Sequence, residues 1–331
     1  MLTSLAVAAA SATAPVTATA RPRPAYRGFR ARVARVRRLS EHFTRVTFAG
    51  EELAEFGTAG FDQRVKVVLP LDGSGFAHFP SGEDWYSAWR ELPAEQRNPF
   101  RTYTIRAVRP ELREVDVDFV AHGDVGPGSA WAARAQPGDE IVLVGPDELS
   151  DGRTIGIDWR PGAVDTVLLA GDETAAPAIC AILESLPADA EGAAIIEVPS
   201  GDDVLEVAAP TGVEVRWLPR TGAQSHGERL VPAVRDWVAR TCWLRDCADP
   251  ASAAAESARR TLAELEAAAD ADGILWDVPE GTSLDGDCYA WLAGEASVIT
   301  ALRRFLVREA GLDRRQVAFM GYWRRGRAEL A

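Results

Sequence analysis

The sequence predicts a small antiparallel β-barrel followed by a parallel α/β domain, and three observations carry that prediction. Between about residues 25 and 150, short runs of alternating β-branched residues are separated by Gly, Pro and Asp. After about residue 155, strand-like runs alternate with amphipathic helical ones. The length of 331 residues suits two domains, each large enough for a core.

Taken in order, residues 1–24, MLTSLAVAAASATAPVTATARPRP, are rich in Ala, Thr and Pro and read as a disordered leader. A signal peptide is the alternative, but no Lys/Arg region precedes the weak apolar stretch. The runs FRARVARVRRL, FTRVTFAG, RVKVVLP, RTYTIRAV, REVDVDFVA and EIVLVGP then supply six antiparallel strands, enough for a small closed barrel over 25–150. One segment, HGDVGPGSAWAARA, breaks this pattern as a glycine turn feeding a short helix. From 155 to 331 the order is DTVLLAG, TAAPAICAILESLP, GAAIIEV, VEVRWLP, GERLVPAVRDWVAR, CYAWLAG, ASVITALRRFLVREAG and QVAFMGYW. Strands alternating with amphipathic helices imply a parallel sheet covered on both faces. An Ala- and acid-rich stretch around 242–287 reads as an insertion containing a helix.

Composition excludes several functions. Apolar residues make up 47% of the chain, yet no apolar run approaches the roughly 20 residues of a membrane helix. The net charge of −13 repels phosphate backbones, so nucleic acid is not the expected partner. Four cysteines (Cys180, Cys242, Cys247, Cys288) are too few and scattered for a disulfide scaffold or an iron–sulfur signature, which fits a reducing cytoplasm. Four scattered histidines offer no metal site. Lys66 is the only lysine among the basic residues.

A barrel followed by an open parallel sheet places a cofactor in the cleft between domains, beyond the carboxyl ends of the strands. The string Arg101-Thr102-Tyr103-Thr104 lies on a predicted barrel strand. Its Arg can grip a diphosphate, its Tyr can lie against a ring system, and Thr104 can hydrogen-bond a ring nitrogen. Alternation puts Arg101 and Tyr103 on one face and Thr104 on the other. Downstream, the segment from Asp118 through His122 and Gly126-Pro127-Gly128-Ser129 to Trp131 runs from a strand through glycines into a helix start, where free amides suit an anion. His122 reads as holding the turn by hydrogen bonds, or else as a general acid; Trp131 reads as packing.

With RTYT, DFVAHGDVGPGSAW, AGDETAAPAI, YAWLAGE and GYWRRGRAE in this order, the chain resembles the siderophore-interacting proteins, flavin-dependent ferric-siderophore reductases of the ferredoxin-reductase-like superfamily. The resemblance covers nearly the whole chain after the leader. It implies an FAD-binding barrel and a Rossmann-like, NAD(P)H-binding α/β domain. By it, Arg101 binds the FAD diphosphate, Tyr103 stacks on the isoalloxazine, Thr104 approaches N5, and the turn from His122 to Ser129 holds the remaining diphosphate and ribityl chain. Gly171-Asp172-Glu173-Thr174 and Gly294-Glu295 line the nicotinamide side of the cleft.

The residues themselves add qualifications. Gly171-Asp172-Glu173-Thr174 is not a GxGxxG, its acids repel a diphosphate, and Asp172 or Thr174 also suits a helix cap. Glu197, 26 positions after Gly171, suits a ribose 2′-hydroxyl, while Arg216 and Arg220 would reverse that preference, so NADH against NADPH stays open with a lean to NADPH from the family. The family places a lysine in the DQRVK region for the anionic siderophore, which Lys66 matches; Arg324 matches another basic position less well. The stretch GPDELSDGR departs from a more basic loop, leaving Arg153 as its candidate. The implied reaction is NAD(P)H-driven, flavin-mediated reduction of a ferric siderophore, releasing Fe(II) for iron acquisition in the cytoplasm. The rivals are a general flavin reductase, a partner of ferredoxin docking on the Arg27–Arg38 face, and a non-catalytic ferric-siderophore binding protein.

Overall fold

The computed structural model describes residues 23–121, 126–222, 224–241, 276–279 and 288–326. Strands β1 (Tyr26–Arg38), β2 (Phe43–Ala49), β3 (Arg64–Val68), β4 (Phe100–Arg109), β5 (Glu114–Val120) and β6 (Glu140–Pro146) close a barrel in the order β1-β2-β5-β4-β3-β6. Every neighbouring pair is antiparallel. Alternation sends Phe29, Phe48, Val65, Val67, Val117 and Leu143 inward, where they pack into one core. Outside, helix α1 (Trp85–Glu91) lays Trp85 and Trp89 against Phe100, Val142 and Val144.

The outward face of β5 carries Glu114, Asp116 and Asp118, yet all three are buried. Arginine side chains cover them: Arg35 reaches Glu114 at 2.7 Å through both terminal nitrogens, Arg109 grips Asp116 at 2.9 and 2.7 Å, and Arg45 grips Asp118 at 2.7 and 2.8 Å. The planar guanidinium fork suits such two-point contacts, which a lysine cannot reproduce. Arg27 and Arg32 of β1 are likewise paired, with Asp147 at 2.9 Å and Glu140 at 2.7 Å.

The second domain is a six-stranded sheet built from β7 (Thr166–Gly171), β8 (Glu191–Val198), β9 (Gly212–Pro219), β10 (Trp276–Asp277), β11 (Cys288–Glu295) and β12 (Val317–Trp323). Its order is β10-β12-β11-β7-β8-β9. Five strands are parallel; β10 adds an antiparallel edge on β12. Helix α3 (Ala176–Ser185) packs on one face, α4 (Leu230–Arg240) and α5 (Ala296–Arg304) on the other. The chain moves outward from β7 to β8 and β9, then returns to place β11 on the other side of β7. Such a reversal is where a parallel sheet forms its ligand crevice, here beyond the carboxyl ends of β7 and β11. Residues 1–22 of the predicted leader lie outside the described residues, as do 242–275 and 280–287 of the predicted insertion.

The two domains are joined by apolar packing of Phe43, Val120, Ile157 and Trp159 against the α3 side of the sheet, and by three polar links. Arg106 of β4 holds Glu184 of α3 at 2.6 and 2.5 Å. Asp203, after β8, accepts from Ser40 Oγ at 2.6 Å and lies 2.8 Å from His42 Nδ1. Asp62, before β3, accepts from Asp158 N, Trp159 N and, at 3.0 Å, from Trp291 Nε1 on β11. Burial, reinforced by the charge of Asp158, pushes the Asp62 carboxyl up to about 6 against those hydrogen bonds.

A raised native pKa means that the folded state holds the proton more tightly, so this stabilisation is complete below about pH 4 and is lost as pH rises through about 6. Urea unfolding from pH 4 to 7 should show the wild type losing about 3 kcal/mol relative to Asp62→Asn across that window. Parallel pH profiles for the two proteins would refute this account.

Candidate functional site

On the barrel side the site starts from one close approach. Gly128 lies in the short helix α2 (Pro127–Ala132), and a Cβ there would sit 2.2 Å from the Tyr103 hydroxyl and 3.4 Å from Arg101 Cγ. Only glycine lets the helix start rest on the RTYT strand this way. Tyr103 and Arg101 pair in register with Val65 and Val67, so both follow the inward face of β4 at the barrel's end, while Thr102 and Thr104 share the outer face with Lys66 and Arg64. The Tyr103 ring leans on Phe119, centroids 4.5 Å apart, and remains half-buried. Arg101 Nη1 donates to the Phe100 carbonyl at 2.7 Å. Gly126, at φ 133°, opens the helix, and nothing lies within 4 Å of where its Cβ would point. Ser129 Oγ donates to the Val120 carbonyl at 3.2 Å, pinning Pro127-Gly128-Ser129 to the end of β5. Trp131 packs on Phe48 and Phe119 in the barrel core. His122 lies outside the described residues. A guanidinium, backbone N–H groups at a helix start and a half-buried phenol form a donor set that fits a flavin diphosphate and its ring, while Thr104, on the opposite face of β4, is 6% exposed.

On the sheet side Gly171-Asp172-Glu173-Thr174 follows β7 directly into the crevice, and Gly294-Glu295 ends the adjacent β11. Asp172 and Glu173 are only 3% and 1% exposed, and their carboxylates meet protein groups. Asp172 accepts from Thr174 N at 2.9 Å, Glu295 N at 2.7 Å and Trp323 Nε1 at 2.9 Å, which ties β7, β11 and β12 together. Gly294, at φ 145°, is required by this arrangement, because a Cβ would come within 2.6 Å of the Asp172 carboxylate. Burial and the neighbouring Glu173 push the Asp172 carboxyl up to about 6. Glu173 goes the other way: burial opposes its ionisation, but His226 at 2.9 Å and Arg220 at 2.8 Å hold it down to about 2. Glu295 accepts from Ser297 N and Val298 N, capping α5.

Two sequence expectations need correction. Glu197 does not await a ribose: fully buried, it accepts from Gly227 N, Arg229 N and Leu230 N at 2.9–3.1 Å, satisfying the orphan amides at the start of α4. Arg220 is clamped between Glu173 and Glu197, and Arg216 pairs with Glu214 at 2.6 Å, so neither is set out for a 2′-phosphate. Sequence reasoning also missed His226 and Arg325. His226 meets the Trp323 ring edge-on at 4.7 Å and lies 3.2 Å from Arg325 Nη2, whose residue's N donates to Glu295. The GYWRRG string was the available signal, since it sets Trp323 and Arg325 at the end of β12 beside the crevice.

The expected substrate cations come from three separate elements. Lys66 stands beside the RTYT strand, 3.4 Å from Thr102 Oγ1 and 5.0 Å from the centre of the Phe100 ring. Arg324 follows β12 and is half-buried. Arg153 is exposed on the loop after β6, where it faces Glu148 at 3.8 Å.

Comparison with known proteins matches residues 32–149 to the siderophore-interacting FAD-binding domain and residues 164–326 to the siderophore-interacting protein domain. The chain is 30% identical to a ferric vibriobactin reductase of Vibrio cholerae over 88% of each chain. It is 28% identical to an NADPH-dependent ferric-chelate reductase of Escherichia coli, covering 88% of this chain and 91% of that one. A siderophore utilization protein from T. fusca superposes with a TM-score of 0.64 at 28% identity, covering 93% of this chain and 96% of the other. Among the described residues no helix is long and apolar enough to cross a membrane.

The contact between Gly128 and Tyr103 is directly testable. Gly128→Ala should destabilise the fold by about 1–3 kcal/mol through overpacking. Adding Tyr103→Phe, which removes the clashing hydroxyl, should restore most of the loss in thermal unfolding; a purely additive double variant would show that the two groups do not touch.

Proposed function

The chain belongs to the siderophore-interacting protein family, and from that premise we propose that it is a flavin-dependent NAD(P)H:ferric-siderophore reductase, releasing iron as Fe(II) in the cytoplasm. The observation that carries this reading is the seating of the glycine turn on RTYT at the end of a barrel that packs against the sheet whose strand order reverses at β7 and β11. In this reading Arg101 and the backbone N–H groups of Gly126, Gly128 and Ser129 hold the diphosphate, with His122 completing the turn. Tyr103 offers its ring face to the isoalloxazine and Thr104 its hydroxyl to the ring edge. When bound, a flavin supplies the chemistry the reaction needs, because it accepts electrons in pairs and releases them singly.

Gly171–Thr174 and Gly294–Glu295 would bound the nicotinamide side chiefly through backbone, since the Asp172, Glu173 and Glu295 carboxylates hold the strands and helices together. With Glu197 and Arg220 committed elsewhere, the choice between NADH and NADPH falls to other groups. Lys66, Arg324 and Arg153 are the cations for the anionic chelate, drawing it to a local positive site on an acidic protein. Hard oxygen donors hold Fe(III) more tightly than Fe(II), so reduction loosens the chelate. The names of the Vibrio and Escherichia relatives support the same reaction class. Three of the six arginines on the supposed ferredoxin face, Arg27, Arg32 and Arg35, are paired with carboxylates, which lowers its positive charge.

The test is anaerobic addition of NADH or NADPH to the purified protein, followed by ferric siderophore with a ferrous trap. A yellow protein that bleaches and then yields trapped Fe(II) is the expected result; a colourless protein that does not accept flavin would overturn the reading. Arg101→Ala should weaken FAD binding about 10- to 100-fold by flavin fluorescence titration, the effect of losing a charge-assisted contact of roughly 1.5–3 kcal/mol.

A further inference from the structure

The sequence departs from its family where a basic loop is expected after Gly145, so the outer face of β3 invites the question of what else could hold an anion. Arg64 and Lys66 alternate along that strand, on one face and roughly 7 Å apart. Their cross-strand partners are Thr104 and Thr102 of RTYT. Arg64 is therefore as close to the proposed flavin strand as Lys66 is.

Its guanidinium is held in an unusual way. It lies over the indole of Trp276, 4.8 Å from the ring centre, and the same indole stacks on Tyr322 at 5.8 Å with 20° between planes. Arg64 Nε donates to the Gly156 carbonyl at 3.3 Å, and Nη2 faces Asp158 at 3.4 Å. Nη1 makes no hydrogen bond to another described residue, and about a third of the side chain (32%) is exposed.

Trp276 itself is anchored at some cost to the chain. It belongs to β10, the two-residue strand within the predicted insertion, and it pairs with Met320 of β12. The adjoining Asp277 accepts from Arg303 at 2.8 Å, an arginine only 1% exposed, and lies 3.6 Å from Arg314. A buried ion pair is weak support for stability in itself and is better suited to fixing a position. What it fixes here is an indole, 41% exposed, under a cation at the side of the barrel.

We infer that Arg64, braced by Trp276, is a second substrate-binding cation next to Lys66, and that it offers Nη1 to the anionic donor groups of the ferric chelate. Trp276 is a positioning residue. This inference rests on the proposed reductase reading for its substrate class, but it concerns binding and can be tested without turnover. Asp158 takes one edge of the guanidinium, leaving the other for the ligand, as a five-donor fork permits.

The probe is gallium(III) tris(catecholate), redox-inert and triply negative, with a neutral gallium(III) trihydroxamate as the control. Binding to the flavin-loaded protein is read by quenching of flavin fluorescence or by calorimetry. Arg64→Gln should weaken binding of the trianion about tenfold, the loss of one hydrogen bond to a charged group, and leave the neutral chelate within about twofold. Arg64→Lys should recover part of the loss. Trp276→Ala should weaken the trianion severalfold and Trp276→Phe should restore it; flavin content of each variant reports its folding. The Arg64→Gln effect should shrink at high salt. Equal affinity of wild type and Arg64→Gln for the trianion, or equal loss for both chelates, would overturn the inference. Failure of the wild type to reduce a ferric chelate that it binds would count against the reductase reading alone.

Discussion

A single buried carboxylate sets the geometry on which the site depends. Asp62 stands two residues before Arg64, the start of the strand that pairs with RTYT, and its indole donor Trp291 stands three residues before Gly294 at the crevice. Its other donors are the amides of Asp158 and Trp159 in the crossing between the domains. One side chain therefore joins barrel, connection and sheet. Taking that charge out of water is costly, as the raised pKa shows, and three donors offset the cost only when all three segments are in place. The interaction thus contributes little as a spare link and much as a constraint on how the two halves of the site face each other.

The same logic runs through the molecule's charges. The chain has more acids than bases, yet several carboxylates are drawn inside and matched. Glu114, Asp116 and Asp118 lie under Arg35, Arg109 and Arg45; Glu173 lies under Arg220 and His226; Glu197 sits on the start of α4. Arginine suits these places because it can satisfy two oxygens at once. Lys66, a compact charge without that fork, lies beside an aromatic ring and a threonine on the flank of the RTYT strand.

Much of the barrel was legible because its signals are local. Alternation in VKVV and VDVDFV marks β3 and β5 whatever the rest of the chain does, and the glycines around Pro127 mark a turn into a helix. The pairing of RTYT with that turn was legible too, as two strings of suitable chemistry about fifteen residues apart. Less legible was the contact between them, which rests on the absence of a Cβ at Gly128. The antiparallel edge strand at Trp276–Asp277 had no readable pattern, since two residues carry no period and their place comes from Arg303 and Tyr322.

What the sequence alone determined, then, was the order and kind of the elements and the residue types gathered near the crevice, because periodicity, glycine and charge act over a few neighbouring positions. What only the tertiary structure decided was the fate of individual ionisable groups. Glu197 lies within hydrogen-bond reach of amides 30 to 33 positions away, and Glu173 meets His226 across 53 positions. Whether such an acid awaits a ligand or satisfies the protein's own donors depends on where distant helix ends come to rest, and a linear spacing rule holds no information about that.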